Sequence, residues 1–343
     1  MNLSPSPDKR KPLKAMILAA GFGTRLMPLT QKIPKPMVPV LNRPLLEHTI
    51  ELLRSFDIRD IAVNVHHLPE QVIDHFGDGS QFGVNLHFSR EEKIMGTAGG
   101  IKAAQGFLES GPFLVINSDI IVNIDLNRVL DFHRQKGSCL TLVVREDASP
   151  KQYDPIEIQE DGRIVHFVGA SSMDVPEPTR RVMFTGIQIM EPEIFSRIPA
   201  GQFCGTAENI FPEMIQEGLP VFGHLHQDYW IDMGNRVQYL KVHRDALDGK
   251  TLLKAGAPEK PQGSGITPPV VTGENCVIET DAKIGPHVVL GNGCRVQKNA
   301  VIENSVLWDG VTVNADCVVK GSVLGKGVTV SNKAKVIDQS LIA

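Results

Sequence analysis

Residues Ala15-Met16-Ile17-Leu18-Ala19-Ala20-Gly21-Phe22-Gly23-Thr24-Arg25-Leu26 decide the fold: an apolar run of strand length breaks at a turn carrying two glycines. Glycine lets backbone N–H groups approach an anion that a side chain would hold off. A GxG turn after a strand also opens dinucleotide-binding folds. Here, however, Leu26 stands where the third small residue of that fingerprint belongs, and Arg25 occupies the tight helix entry. A guanidinium at that point suits bidentate contact with a polyphosphate.

Working outward, Ile61–Val65, Val84–Phe88 and Phe113–Ile116 read as further strands. Pro44–Phe56, Pro69–Phe76, Ala98–Leu108 and Asp125–Gln135 read as the helices between them. Alternation of this kind predicts an α/β domain with a mostly parallel sheet covered on both faces. Beyond Cys139 the runs Cys139–Arg145, Pro155–Gln159, Arg163–Val168 and Val182–Ile189 follow one another as strands, so the sheet is expected to become mixed; Glu208–Gln216 and Asn235–Leu247 then read as helices. A different rule governs the C-terminal part. Ile278, Ile284, Leu290, Val296 and Ile302 recur every six residues, each followed four residues later by a small or uncharged partner. The frame slips between Ile302 and Val318, then resumes through Leu324, Val330, Val336 and Ile342. A residue that turns inward every six positions describes short strands stacked around a triangular coil, a parallel β-helix. The expected organisation is a tail over 1–13, an α/β domain over 14–248, a Gly/Pro-containing linker over 249–268 and the β-helix over 269–343.

Composition sets the outer bounds. Hydrophobic residues make up 42% and charged residues 22% of the 343, ordinary for a globular chain. A net charge of -4 provides no general attraction to nucleic acid or an anionic membrane, so phosphate binding must come from a local site. The five cysteines are scattered, with no CxxC pair, as expected for reduced thiols in a cytoplasmic protein. Cys276, Cys294 and Cys317 fall on or near the small inward position of the coil.

Three further clusters carry chemistry. Pro34-Lys35-Pro36 places a lysine between two prolines, which predicts an extended backbone and an aimed ammonium. Asn117-Ser118-Asp119 follows an apolar strand, and an aspartate at a strand's carboxyl end lies where open α/β sheets put ligands. Tyr229-Trp230-Ile231-Asp232-Met233-Gly234 repeats that arrangement. Each motif alone has a bland reading as a cap, turn or solvated loop, but two strand-end carboxylates can converge on one Mg²⁺. His66-His67 reads as a pair of ordinary loop histidines, since adjacent residues at a strand end face apart.

Taken together, the ordered clusters resemble the sugar-1-phosphate nucleotidyltransferase (NDP-sugar pyrophosphorylase) family. The resemblance rests on Leu18-Ala19-Ala20-Gly21-x-Gly23-Thr24-Arg25-Leu26, Pro28-Leu29-Thr30, Pro34-Lys35-Pro36, Gly96-Thr97-Ala98-Gly99, Asp119 and Trp230-Ile231-Asp232-Met233-Gly234. It implies a Rossmann-like catalytic domain followed by a small left-handed β-helix, and transfer of a nucleotidyl group from a nucleoside triphosphate to a sugar 1-phosphate with release of pyrophosphate. By that resemblance Ala20, Gly21, Gly23 and Thr24 wrap the nucleotide. Arg25 and Lys35 hold its phosphates, Gly96, Thr97 and Ala98 line the base and ribose pocket, and Asp119 and Asp232 bind Mg²⁺. Gly186 and Glu208 would contact the sugar phosphate. The GDP-mannose type is the first expectation, because that subgroup joins Gly96-Thr97-Ala98-Gly99 to a hexapeptide tail. Uridylyl or thymidylyl transfer to a glucose-like or amino sugar, a silent regulatory subunit of the same fold, and a bifunctional acyltransferase are the alternatives. A homo-oligomer assembled through the β-helix is expected, with no membrane or nucleic-acid partner.

One departure stands out. Many family members carry Glu-Lys-Pro after the strand corresponding to Arg163–Val168, whereas this chain has Gly169-Ala170-Ser171, and a neighbouring Tyr-Gly pair reads Tyr153-Asp154. Lys151, Arg180 and Arg181 are the nearest basic residues that would substitute for the missing lysine.

Overall fold

The computed structural model describes residues 12–146, 156–172, 178–255 and 265–343. Most of the expected tail, part of the expected linker, Lys151 and the Tyr153-Asp154 pair therefore lie outside the described residues.

A ten-stranded sheet forms the spine of the first domain. Lys14–Leu18 lies between Asp60–Val65 and Phe113–Asn117, parallel to both, and Asn85–Arg90 extends the parallel set. Alternate residues of Lys14–Leu18 separate cleanly: Ala15 and Ile17 enter one core and Met16 the other, all at 0% exposure. A strand buried on both faces needs this unbroken apolar run. Past Phe113–Asn117 the sheet becomes mixed, as expected. The long strand Arg180–Met190 runs antiparallel to it and also pairs with Leu140–Glu146 and Ile156–Ile158. Trp230–Asp232 pairs antiparallel with Ile120–Val122 in a separate two-stranded ribbon.

Three local readings need correction. The helix expected over Ala98–Leu108 starts earlier, at Gly96, and breaks at Ala104 into Gly96–Ala103 and Gln105–Leu108. The helix expected from Glu208 begins as a π-helical turn over Thr206–Ile210 before the α-helix Phe211–Gln216. The chain after the glycine turn runs through two 3₁₀ turns, Thr24–Leu26 and Leu29–Gln31. Lys35 is not extended: it opens the 3₁₀ turn Lys35–Met37, closed by Met37 N–H to Pro34 C=O at 2.8 Å and Val38 N–H to Lys35 C=O at 3.1 Å. Those two backbone bonds outweigh the pre-proline bias toward extended geometry.

The C-terminal domain is three parallel sheets of two- and three-residue strands wound around one apolar core. Val270 pairs with Val288 and Val288 with Ser305, a first coil of 18 residues and a second of 17. The frame slip seen in the sequence is that missing residue, absorbed at the corner where Asn304 takes a φ of 45°. Cys294 and Cys317 are buried in this core, with Cys276 packed against it.

One face of the coil is covered by the first domain itself. Val289, Val306, Trp308 and Val323 share a core with Leu26, Leu29, Ile231, Met233 and Tyr239. The two domains thus meet directly behind the glycine turn and the Asp232 strand. Among the described residues, no helix is long and apolar enough to cross a membrane.

Candidate active site

The carboxyl ends of Lys14–Leu18 and Phe113–Asn117 open into a cleft of about 360 Å³, and the glycine turn forms its floor. Ala20, Gly21, Gly23, Thr24, Arg25, Lys35, Gly96, Thr97 and Asp119 all line it. Gly23 has a φ of 65°, and an added Cβ would sit 3.0 Å from Thr30 and 3.1 Å from Lys35. The turn therefore requires glycine for its own conformation, and Thr30 Oγ1 donates to the Gly23 carbonyl at 2.8 Å. At Gly21 a Cβ would meet nothing within 4 Å. The protein's packing does not demand a glycine there; the space it leaves belongs to the cleft.

Two cation–carboxylate pairs meet at the cleft: Lys35 and Asp119 both line it, whereas Asp232 lies outside the lining and reaches its edge through Arg25. Lys35 Nζ lies 2.6 Å from Asp119 Oδ2, with both side chains mostly shielded. Arg25 Nη1 lies 3.8 Å from Asp232 Oδ2, and the arginine side chain is 65% exposed. The first is a formed hydrogen bond. The second is a loose pair whose guanidinium remains available to an anion.

Strand pairing brings the two acids together. Asp232 stands opposite Ile120, next to Asp119, and Met233 N–H donates to the Asp119 carbonyl at 2.7 Å. Burial raises the pKa of Asp232, and the charge of Asp119 raises it further, against the opposing pull of Arg25 and Lys35. Two carboxylates close enough to repel one another, beside Arg25 and Lys35, have the chemistry of a divalent-ion site completed by phosphate and water. Among the described residues no group of three or more His, Cys, Asp or Glu gathers as a metal site.

A buried polar cluster that sequence reasoning left unresolved fixes one wall. Asn64 Oδ1 accepts from Ala19 N–H at 2.7 Å, and its Nδ2 donates to Glu91 Oε1 at 2.7 Å. The other carboxylate oxygen of Glu91 accepts from Met95 N–H at 2.9 Å. Gly100 leaves the room for this pair, since a Cβ there would lie 2.7 Å from both Asn64 Nδ2 and Glu91 Oε1. The network ties the strand end before the glycine turn to the loop that enters Gly96. Gly96 itself has a φ of 74° and presses on Cys204, whose carbonyl would be 2.5 Å from an added Cβ. His66 and His67 play the modest role expected of them: His66 bonds the Glu91 carbonyl, His67 the Thr30 carbonyl, and both pack against Phe22.

Three expected site residues lie elsewhere. Ala98 is fully buried and packs into the domain core, so Gly96 and Thr97 alone of that motif reach the cleft. The helix that starts at Gly96 turns its third residue inward, which a linear motif does not show. Gly186, at a φ of 84°, is buried behind the cleft residue Asn117, whose amide a Cβ would meet at 2.7 Å. Glu208 is exposed on the π-turn, which is tied to the cleft rim by Thr206 N–H donating to Thr97 Oγ1 at 2.8 Å.

Of the nominated replacements for the absent lysine, Arg180 and Arg181 do not line this cleft, and Lys151 lies outside the described residues. Arg180 borders a separate depression beside Asp161 and Gly162 and lies 3.8 Å from Glu146, and Arg181 is exposed on the same strand. Both start the strand Arg180–Met190, at the end remote from Gly186. In the Gly169-Ala170-Ser171 stretch, Val168 and Gly169 form a hairpin at φ values of 46° and 82°, and Ala170 turns into the core.

The nucleotidyl transferase family matches residues 14–249, and the EIF2B subunit epsilon left-handed β-helix (LbH) domain matches residues 254–343. A UTP–glucose-1-phosphate uridylyltransferase from Synechocystis is 32% identical, over 87% of this chain and 83% of its own length. A mannose-1-phosphate guanylyltransferase from Mycobacterium tuberculosis is 29% identical, over 84% of this chain and 82% of its own. Among solved structures, HddC from Yersinia pseudotuberculosis complexed with GMP-PN shares the fold at a TM-score of 0.57 and 23% identity, covering 67% of this chain and 97% of that one.

Proposed function

Because this chain belongs to the nucleotidyl transferase family, we propose that its cleft joins a nucleoside triphosphate to a sugar 1-phosphate, with GTP and mannose 1-phosphate as the preferred pair. The observation that carries the reading is the convergence of the glycine turn, Arg25, Lys35 and Asp119 in one cleft, with Asp232 at its edge beside Arg25. A phosphate oxygen of the sugar 1-phosphate attacks the α-phosphorus, the new P–O bond forms, and the α–β P–O bond breaks with the electron pair leaving on pyrophosphate. The nucleophile is already ionised at neutral pH, so no general base is required. What the protein must provide is alignment and charge neutralisation between two anions. Arg25 and Lys35 take up charge on the departing pyrophosphate. The backbone around Gly21 and Gly23 holds the nucleotide. Asp119 and Asp232 would hold Mg²⁺, which supplies charge screening at the α-phosphate when bound.

Glu91 favours guanine. Its buried carboxylate is an acceptor-only group on the cleft wall. Each oxygen already accepts one bond, from Asn64 or Met95, and the lone pairs left over are complementary to the adjacent N1–H and N2–H₂ of guanine. Uracil and thymine flank their single N3–H with two carbonyl oxygens, which a carboxylate repels. Uridylyl transfer remains the second reading, supported by the Synechocystis relative. A homo-oligomer assembled through the β-helix also belongs to the proposal. One sheet of the coil is taken by the catalytic domain, while Val277 and Ile337 are exposed apolar side chains on the other two. Pyrophosphate release, measured for GTP, UTP, dTTP, ATP and CTP against a panel of sugar 1-phosphates, tests all of this. Greatest kcat/KM with GTP and mannose 1-phosphate is the expected result; no activity with any pair would leave the fold as a silent regulatory subunit.

A further inference from the structure

The helix Arg236–Leu247 leaves the Asp232 strand through Gly234 and Asn235, which caps it by accepting from Gln238 N–H at 3.0 Å. One turn into that helix, the Gln238 side chain folds back toward the cleft. Its Nε2 donates to Asp232 Oδ1 at 2.7 Å, and its Oε1 accepts from Gly234 N–H at 3.0 Å. Only this amide orientation satisfies both partners, since the reverse would set oxygen against carboxylate and N–H against N–H. The bond occupies one oxygen of Asp232 and leaves Oδ2 on the side of Arg25. Gly234 is needed for the clasp to close: a Cβ there would lie 2.7 Å from Arg25 Nη1 and 2.9 Å from Gln238 Oε1.

The next residue faces the other domain. Tyr239 is fully buried in the interdomain core, and its hydroxyl accepts from Trp308 Nε1 at 3.0 Å and donates to the Pro39 carbonyl. Trp308 belongs to the β-helix, and Pro39 follows the turn that carries Lys35. Consecutive residues of one helix therefore touch Asp232 on one side and the β-helix on the other. We propose that Gln238 is a positioning residue that aims Asp232 at the divalent cation, and that the β-helix, docked through Trp308 and Tyr239, fixes the helix that carries it. On this account the coil is a structural part of the catalytic centre as well as an assembly surface. The inference rests on the assignment of Asp119 and Asp232 to a cation.

Partners that orient a metal-binding side chain typically change metal affinity by about ten- to a hundredfold when removed. Gln238→Leu in the full chain should weaken Mn²⁺ binding, measured by calorimetry on nucleotide-free enzyme, by about tenfold. Binding of a fluorescent GTP analogue in EDTA should stay at the wild-type value, which a general loosening of the fold would not allow. Trp308→Phe removes the N–H together with part of the indole ring packed in the interdomain core, so its Mn²⁺ affinity should fall by at least about threefold, the scale of one lost hydrogen bond. Asp119→Asn separates the two claims. If it abolishes Mn²⁺ binding while Gln238→Leu binds as wild type, the positioning role is wrong and the metal site stands. If Asp119→Asn binds Mn²⁺ normally, the metal assignment fails and takes the positioning role with it.

Discussion

At Gly21, on the cleft floor, an added Cβ would find no protein atom within 4 Å, whereas at Gly291, in the coil, it would fall 2.5 Å from Asp309 N. Gly273 repeats the second case, where an added Cβ would lie 2.7 Å from Asn292 N. At Gly273 and Gly291 the next rung is already in the way, so these glycines answer to the protein's own packing, as Gly23 and Gly96 do beside the cleft. Gly21 differs from all four, because nothing of the protein competes for its space. The carboxylates show a similar division: Asp232 sits half-buried beside Asp119 at a cost in charge repulsion, while among the described residues no charged side chain is buried in the coil. A region shaped for a ligand retains features that its own stability does not require, and a repeat region does not.

Substitutions at the two acids should separate the regions most sharply. Asp119→Asn and Asp232→Asn are each expected to reduce kcat by about a thousandfold or more, the scale of removing a preorganised charge from such a centre. Thermal unfolding should move by no more than a few degrees, because relief of like-charge repulsion offsets the lost cation contacts. Near-native kcat in either variant would remove that residue from the centre.

A matched pair of glycine changes comes next. Gly21→Val should leave the melting temperature close to wild type and raise the KM for the triphosphate by about a hundredfold, since the side chain projects only into cleft space. Gly291→Val should do the converse, destabilising by about 2 kcal/mol through overpacking between rungs. Equal losses of stability in both would erase the distinction between cleft and coil.

Base choice should respond more mildly. Glu91→Gln exchanges an acceptor pair for one acceptor and one donor, so kcat/KM for GTP should fall by about tenfold with UTP affected less. An unchanged GTP-to-UTP ratio would take Glu91 out of base recognition.

The smallest effect concerns the junction between the regions. His243 is wholly buried there, accepts from Leu41 N–H at Nε2 and donates from Nδ1 to the Tyr239 carbonyl. Burial lowers its pKa to about 4. A histidine kept neutral in the folded state takes up its proton more readily when unfolded, so stability is fully present above the ordinary histidine pKa and is lost as pH falls toward 4. Denaturant midpoints should drop across that window, and His243→Gln should flatten the drop. A slope identical to wild type would place the titration elsewhere.

The strand Lys14–Leu18 and the glycine turn were legible from a run of apolar residues ended by two glycines, because local periodicity and backbone sterics act within a few residues. The same holds for the helix Pro69–Phe76 and for the helix starts read at Asp125 and Asn235, which prove to be the N-caps. Ala98 and Lys35 were misread in detail. Which way a helix turns a given residue, and whether backbone bonds override a proline's bias, depends on neighbours that are distant in the chain. Gln238 gave no signal at all, as a glutamine on an amphipathic helix matches any solvated face.

The sequence by itself determined the two architectures, the family resemblance and the acids and bases of the cleft, since each is written in spacing along the chain. Only the tertiary structure decided that Lys35 meets Asp119 across 84 positions, that Asp232 arrives beside it by pairing with Ile120, and that the coil docks behind both through Trp308. Those contacts join segments whose separation carries no periodic signal. They exist because strand register and the burial of a shared core bring the segments to one place.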